Sequence, residues 1–236
     1  MEKQVDSKNV LKYVSEFQTR AQSIKRYEGN PYVSGDNIAE HISRLARLLI
    51  SIAPQLKIEF SDKPDLIEEV LVTLFIHDDD EVIDGYDIPT ALKVHNMKDD
   101  EEIVKFEQSI SSLGEGAKKY LVPFFTSFRK RDSLVAKISK ALDNIAGNQL
   151  VIEQEIGLIN PDQARFAIEY VEKVRGVSKT IDSLIEAQIE QVLEYRKQAI
   201  ANLKSPPNSA EEMLLKIDVL NHSLDEAKIN LPLEQL

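Results

Sequence analysis

The sequence predicts an all-α protein, and three observations predict it. Of 236 residues only 8 are Gly and 9 are Pro, so the chain carries few of the residues that punctuate structure. Apolar residues recur every three or four positions over long stretches, the period of a helix with one buried face. Runs that alternate apolar and polar, as a half-buried strand would, are hard to find. With 42% hydrophobic and 29% charged residues the composition is that of a globular protein and rules out intrinsic disorder. At roughly 150 residues per domain, the length fits one large domain, or one domain with an appendage.

The elements follow in order. A first helix is expected from Lys8 to Tyr27, with Val10, Val14, Phe17, Ala21 and Ile24 on one side. An irregular GNPYVSGDN stretch separates it from a second, for which Asp36 is a plausible N-cap. There Ile38, Ile42, Leu45, Leu49 and Ile52 share a face, and Pro54 is expected to stop the helix. Asp65 to Ile76 reads as a short apolar helix leading into HDDDEVIDGYDIPT at 77–90, where Gly, Asp and Pro argue for a loop. Helices are expected again at Glu101–Leu113, Gly116–Phe128 and Arg131–Ile156. From Pro161 to Leu203 the pattern is helical with a break expected near Gly176, and Val174, Val177, Ile181, Leu184 and Ile185 read as core in preference to a dimer seam. SPPNSAEE resembles a linker, and Ala210–Lys228 a last helix.

Charge and cysteine content exclude several classes. Forty acidic against 29 basic residues give a net charge of -11, which argues against binding a nucleic-acid polymer through its phosphates. Zero Cys removes disulfides, thiolate metal sites and cysteine nucleophiles together. The opening MEKQVDSKNV lacks the apolar core of a signal peptide, and the longest apolar run, Leu45 to Ala53, contains Arg47 and Ser51. A cytoplasmic protein without membrane contact is the expectation.

Asp78, Asp79, Asp80, Glu81, Asp84 and Asp87 crowd carboxylates into a short stretch after an apolar helix that ends in His77. A solvated acidic loop is the plain reading, and a bound cation is the chemical one. An EF-hand fails, because a loop begun at Asp80 puts Ala91 where a bidentate Glu is required. His77 and Asp78 offer a nitrogen and an oxygen ligand side by side, suited to Mn, Fe, Co or Zn. His41 projects near the buried stripe of its helix, as a ligand or as a core histidine bonded to a carbonyl. Asp143 has small residues at helical spacing on its side, Ala136, Ser139, Ala146 and Gly147. They leave room for an ion or a close helix, although an exposed carboxylate would look the same.

Together, His41, His77-Asp78 and Asp143 form the H…HD…D order of the HD-domain metal-dependent phosphohydrolases, which this sequence resembles. IKRYEGNPYVSGDNIAEH at 24–41 is similar to the opening of the bacterial HD-type 5′-deoxynucleotidases, where an Arg-aromatic pair precedes an N-(V/I)-x-E-H motif. HDDDEVIDGYDIPTALK at 77–93 resembles their HDxxE and G-D-(L/I)-P-T turn followed by Lys, with Tyr86 inserted. The similarity spans about Phe17 to Leu150. It implies an HD-domain helical bundle at 1–160; residues 161–236 have no counterpart in the resemblance and read as additional C-terminal helices, packed on the core or forming an oligomer interface. The resemblance further implies one divalent metal ion (Mn, Co, Fe, Zn or Mg) on His41, His77, Asp78 and Asp143, with catalysis by Asp78 and Glu81, the latter orienting water.

By the same resemblance Arg26 and Lys93 would meet phosphate, and Tyr27 and Asp87 the sugar. The implied activity is a 5′-nucleotidase on a small-molecule nucleotide, with a homodimer as a common assembly. A nucleoside triphosphate hydrolase using the same residues, or a non-catalytic scaffold, are the alternatives. Tyr27 stands where the deoxynucleotidases commonly have Trp. Guanosine tetraphosphate hydrolases resemble HDxxED, whereas Val82 follows Glu81 here, and cyclic-dinucleotide enzymes need further His ligands.

Overall fold

The computed structural model describes residues 6–27, 35–86, 99–154, 158 and 161–203. Among them the architecture is all-α: α1 (Ser7–Ser23), α2 (Ile38–Glu59), α3 (Leu66–Ile76), α4 (Asp79–Asp84), α5 (Asp99–Ser109), α6 (Glu115–Lys130), α7 (Leu134–Gln154), α8 (Pro161–Glu172) and α9 (Lys179–Leu203). A single 3-10 turn, Ser111–Leu113, joins α5 to α6. The expected helix at Ala210–Lys228 and the linker before it lie outside the described residues.

Four local expectations are corrected. The first helix stops at Ser23, four residues short of Tyr27, because Ile24 turns extended and Lys25 pairs antiparallel with Asn37. Arg26 N–H donates to Asp36 O at 2.8 Å and Ile38 N–H to Ile24 O at 3.2 Å, so these bonds replace helical ones. The cap of α2 is Asn37, not Asp36: its side chain accepts from Glu40 N–H while Glu40 reaches back to Asn37 N–H, a reciprocal capping box. Pro54 lies inside α2, which runs on to Glu59. Ile52 before it and Leu56 after it are both buried, and that packing outweighs the one backbone bond a proline removes. Finally, part of the acidic stretch is helical, as α4, closed by Gly85 in the left-handed region at φ 83°.

α7 is the central helix, buried on nearly every side from Ala136 to Ile152. Around it, Leu45, Leu49 and Leu56 of α2, Val70 and Leu74 of α3, Ile138, Leu142 and Ile145 of α7, Val171 of α8, and Ile181 and Ile185 of α9 make one core. Val174, Val177 and Leu184 pack on its edge. Polar bonds also tie α9 to α7. Gln188 donates to Ile145 O at 2.9 Å and accepts from Asn148 at 3.1 Å. Between α8 and α9 the chain reverses at Gly176, φ 85°. A separate aromatic cluster, with Phe106 and Phe125 stacked 4.2 Å apart, fixes α5 and α6 beside the end of α3. No helix among the described residues is long and apolar enough to cross a membrane.

Candidate metal centre

The N-cap of α2 sets His41 in its first turn, facing inward and wholly buried. α3 ends at His77, also wholly buried, and the turn from α3 to α4 carries Asp78. Asp143 comes from the middle of α7, where Leu142, Ile145 and Ala146 pack into the core. Three elements distant in sequence thus meet at one point. One ligand atom from each of His41, His77 and Asp143 lies within 4.8 Å of the others. His41 Nε2 is 3.1 Å and His77 Nε2 3.7 Å from Asp143 Oδ1. Asp78 Oδ2 stands 3.1 Å from His77 Nε2 and 3.9 Å from His41 Nε2. All four residues expected to be ligands are therefore together.

The fit to a divalent ion rests on what these atoms do not do. His77 Nε2 and Asp78 Oδ2 are buried and close, yet neither has a hydrogen-bond partner among the described residues. Such atoms are costly unless something else satisfies them. His77 Nδ1 is 2.9 Å from Leu74 O; with Nδ1–H donating there, Nε2 is the nitrogen turned to the cluster, and a bound ion would take the place of its second proton. Two imidazole nitrogens and two carboxylates are a borderline-ion donor set.

The electrostatics are those of strongly coupled charges. Burial alone would lower His77, but Asp78 and Asp143 beside it raise it to about 10. Burial and the positive charge of Arg26 hold His41 below its ordinary value, against the pull of Asp143 and Asp78. For Asp78 burial is outweighed by His77 and Arg26, and for Asp143 by Lys140 and both histidines, so both carboxylates fall below the usual range.

The rest of the acidic run is distributed one group at a time. Asp79, 2% exposed, accepts from Tyr13 OH at 3.2 Å and borders a cavity of about 350 Å³ between α1, α4 and α5. Asp80 pairs with Arg129, whose Nε lies 3.1 Å from Glu102 and whose Nη2 donates to His77 O at 3.3 Å. Asp84 takes Lys105 on both oxygens, at 2.8 and 3.0 Å. Glu81 is buried one turn beyond Asp78. The plain reading of a solvated loop is thus corrected for residues 78–81, since each is at most 9% exposed.

Arg26 and Tyr27 stand beside the cluster. The guanidinium lies over the Tyr27 ring at 5.4 Å and its charge reaches both His41 and Asp78. Tyr27 adopts φ 59°, a left-handed conformation unusual for an aromatic residue. Asp87 and Lys93 lie outside the described residues.

The sequence profile of the family described as HD domain matches residues 18–185. The chain belongs to the HD-domain family. That match runs past the motifs to Ile185, taking in α8 and the start of α9, in agreement with the shared core. Among solved structures the chain is similar to one titled a predicted metal-dependent phosphohydrolase from Magnetospirillum magnetotacticum MS-1, at 18% identity and a TM-score of 0.56. The likeness covers 80% of this chain and 95% of that one and is a likeness of fold. No curated protein sequence matches.

Sequence reasoning missed Arg129, Lys140 and Tyr13. Lys140 was within reach, one helical turn before Asp143. Arg129 is 52 residues from His77 and Tyr13 is 66 from Asp79, and nothing local marks them.

Proposed function

We propose that this HD-domain protein is a metal-dependent phosphohydrolase, and specifically a 5′-nucleotidase that releases phosphate from nucleoside or deoxynucleoside 5′-monophosphates. The observation that carries the reading is the position of Arg26: a planar fork of donors beside a buried His-His-Asp cluster, on the same short segment as Tyr27. A guanidinium next to two carboxylates and two imidazoles has the chemistry of a phosphate clamp at a metal site.

When bound to His41, His77, Asp78 and Asp143, a divalent ion would supply a water of lowered pKa and a Lewis-acid contact for a phosphoryl oxygen. The chain's own residues do the remainder. Arg26 binds the phosphate and orients phosphorus for in-line attack. Glu81 takes the proton of the attacking water and passes it to the ester oxygen, which departs as the nucleoside's 5′-hydroxyl as phosphate is formed. Tyr27 stands against the sugar, where its smaller ring and its hydroxyl make the rejection of ribose weaker than a Trp would. Asp87 and Lys93 keep the roles the resemblance implies, on sugar and phosphate.

The test is phosphate release by metal-stripped protein resupplied with Mn, Co, Zn or Mg, over ribo- and deoxyribonucleoside mono- and triphosphates, beside Asp78→Ala and Glu81→Gln. Metal-dependent monophosphate turnover that is lost in Asp78→Ala, and falls about 10²–10⁴-fold in Glu81→Gln, is expected. Cleavage of triphosphates only would replace the reading with a triphosphate hydrolase. Silence across the panel would favour a non-catalytic scaffold.

A further inference from the structure

We propose that Lys140 is a phosphate-binding residue of this site, held at the cluster by the outer oxygen of Asp143. The inference rests on the phosphohydrolase reading above and deepens it. Lys140 Nζ lies 2.6 Å from Asp143 Oδ2, while Oδ1 of the same carboxylate faces His41 and His77 at 3.1 and 3.7 Å. One carboxylate thus divides its two oxygens between the imidazoles and an ammonium group. The spacing of three residues along α7 makes the arrangement local and rigid, since both side chains leave the same face of a helix buried in the core.

Two other basic side chains near the acidic run, Arg129 and Lys105, are already spent. Arg129 is taken by Asp80, Glu102 and the His77 carbonyl, and Lys105 by both oxygens of Asp84. Lys140 differs. Its hydrogen-bond partner among the described residues is Asp143 Oδ2 alone, which leaves two of three ammonium donors for another acceptor. The Phe128 ring lies 6.0 Å from Nζ. With the side chain 22% exposed, the ammonium group is held yet open to a solute.

A phosphate monoester dianion meeting the cluster must pass Asp78 and Asp143, which repel it. Arg26 offsets this from the segment before α2, and Lys140 offsets it from α7. A compact ammonium also suits the ester oxygen as charge grows there. The rival is purely structural: a lysine that neutralises Asp143 and touches no substrate.

The experiment compares wild type with Lys140→Met, Lys140→Gln and Lys140→Arg. Calorimetry measures Mn affinity, then inorganic phosphate affinity of the Mn-loaded protein; melting temperature checks folding, and kcat and KM follow with a monophosphate. Neutral variants are expected to hold Mn as tightly as wild type, or more tightly because a competing cation is gone. They should bind phosphate about 10- to 100-fold more weakly, the range of a charged hydrogen bond, with KM rising in step. Lys140→Arg should recover most of the loss. Phosphate affinity unchanged in the neutral variants, a parallel fall in Mn affinity, or Mn-loaded wild type that binds no phosphate would each overturn the proposal. Wild type that binds phosphate through Lys140 but hydrolyses no nucleotide would sink the nucleotidase reading and leave this inference standing.

Discussion

The phenol oxygen of Tyr27 stands 2.9 Å from where a Cβ on Gly147 would lie, so the glycine of α7 makes the seat for the aromatic residue beside the His41, His77 and Asp143 cluster. Gly147→Ala therefore pits a gain in helix propensity, at most about 1 kcal/mol, against displacement of a side-chain tip. The fold should survive with a stability change under about 1 kcal/mol. Tyr27 must shift, so the ratio of kcat/KM for deoxy- against ribonucleotides should change by several-fold while Mn affinity holds. Side-by-side denaturation curves and specificity ratios decide it, and an unchanged ratio would remove Tyr27 from the sugar site.

Arg129 is the guanidinium that gathers the turn between α3 and α4. Its removal as Arg129→Met withdraws the cation from buried Asp80 and Glu102 and the donor from His77 O. Breaking a buried ion pair on one side costs about 3–5 kcal/mol. Arg129→Lys should fall between, because one ammonium cannot serve three groups in a fixed plane. Urea unfolding of the three proteins tests the order.

The helices and the four residues of the candidate cluster were legible because each left a local trace. Apolar period marks α2 and α7, and small residues around Asp143 mark a face closely approached: Gly147 indeed admits Tyr27. The motif order could be read without any geometry. Other features depend on partners far away in sequence. Pro54 is carried through α2 because Ile52 and Leu56 both find the core. Asp79 and Asp80 look like members of a solvated run until Tyr13 and Arg129 are brought to them by α1 and α6.

Tyr13 supplies a hydrogen bond to a carboxylate that burial pushes well above its ordinary range. Tyr13→Phe keeps the ring against Phe17, 6.0 Å away, and deletes only the donor. A loss of about 1–3 kcal/mol is expected for leaving a buried acceptor short of a partner. Asp79→Asn in the Tyr13→Phe background should recover part of it, because an amide never carries the charge that burial disfavours. A double-mutant cycle measures the coupling, and additive effects would mean the contact does not form in solution.

If His41, His77, Asp78 and Asp143 hold an ion in the folded state only, the ion stabilises that state by mass action. Mn at one hundred times its Kd should add about 2.7 kcal/mol and raise the melting temperature accordingly. Asp143→Ala and His77→Ala should abolish the increment, whereas Asp84→Ala, whose partner is Lys105, should keep it. Melting curves with chelator and with Mn separate these outcomes. An equal shift in all three variants would place the ion elsewhere.

Glu59, the last residue of α2, caps the start of α9 from a distance. It accepts from Lys179 N–H at 2.7 Å, Thr180 N–H at 3.2 Å and the Thr180 hydroxyl at 3.0 Å, satisfying first-turn donors that α9 cannot satisfy itself. Slight burial raises its pKa, and these bonds outweigh it, so the folded value lies below the ordinary 4.5. A depressed carboxylate contributes stability in full above its unfolded pKa and loses it as pH falls through the folded one. Wild type should therefore lose stability between about pH 5 and about pH 3 more steeply than Glu59→Gln, which keeps an acceptor but has no proton to gain. At neutral pH Glu59→Ala should cost about 1 kcal/mol, the usual worth of an N-terminal cap, and loosen α9 against the core. Amide exchange at Lys179 and Thr180 reads that locally. Because α9 contributes Ile181 and Ile185 to the core around α7, loosening its first turn should reach the helix that carries Asp143, and Mn affinity in Glu59→Ala measures how far.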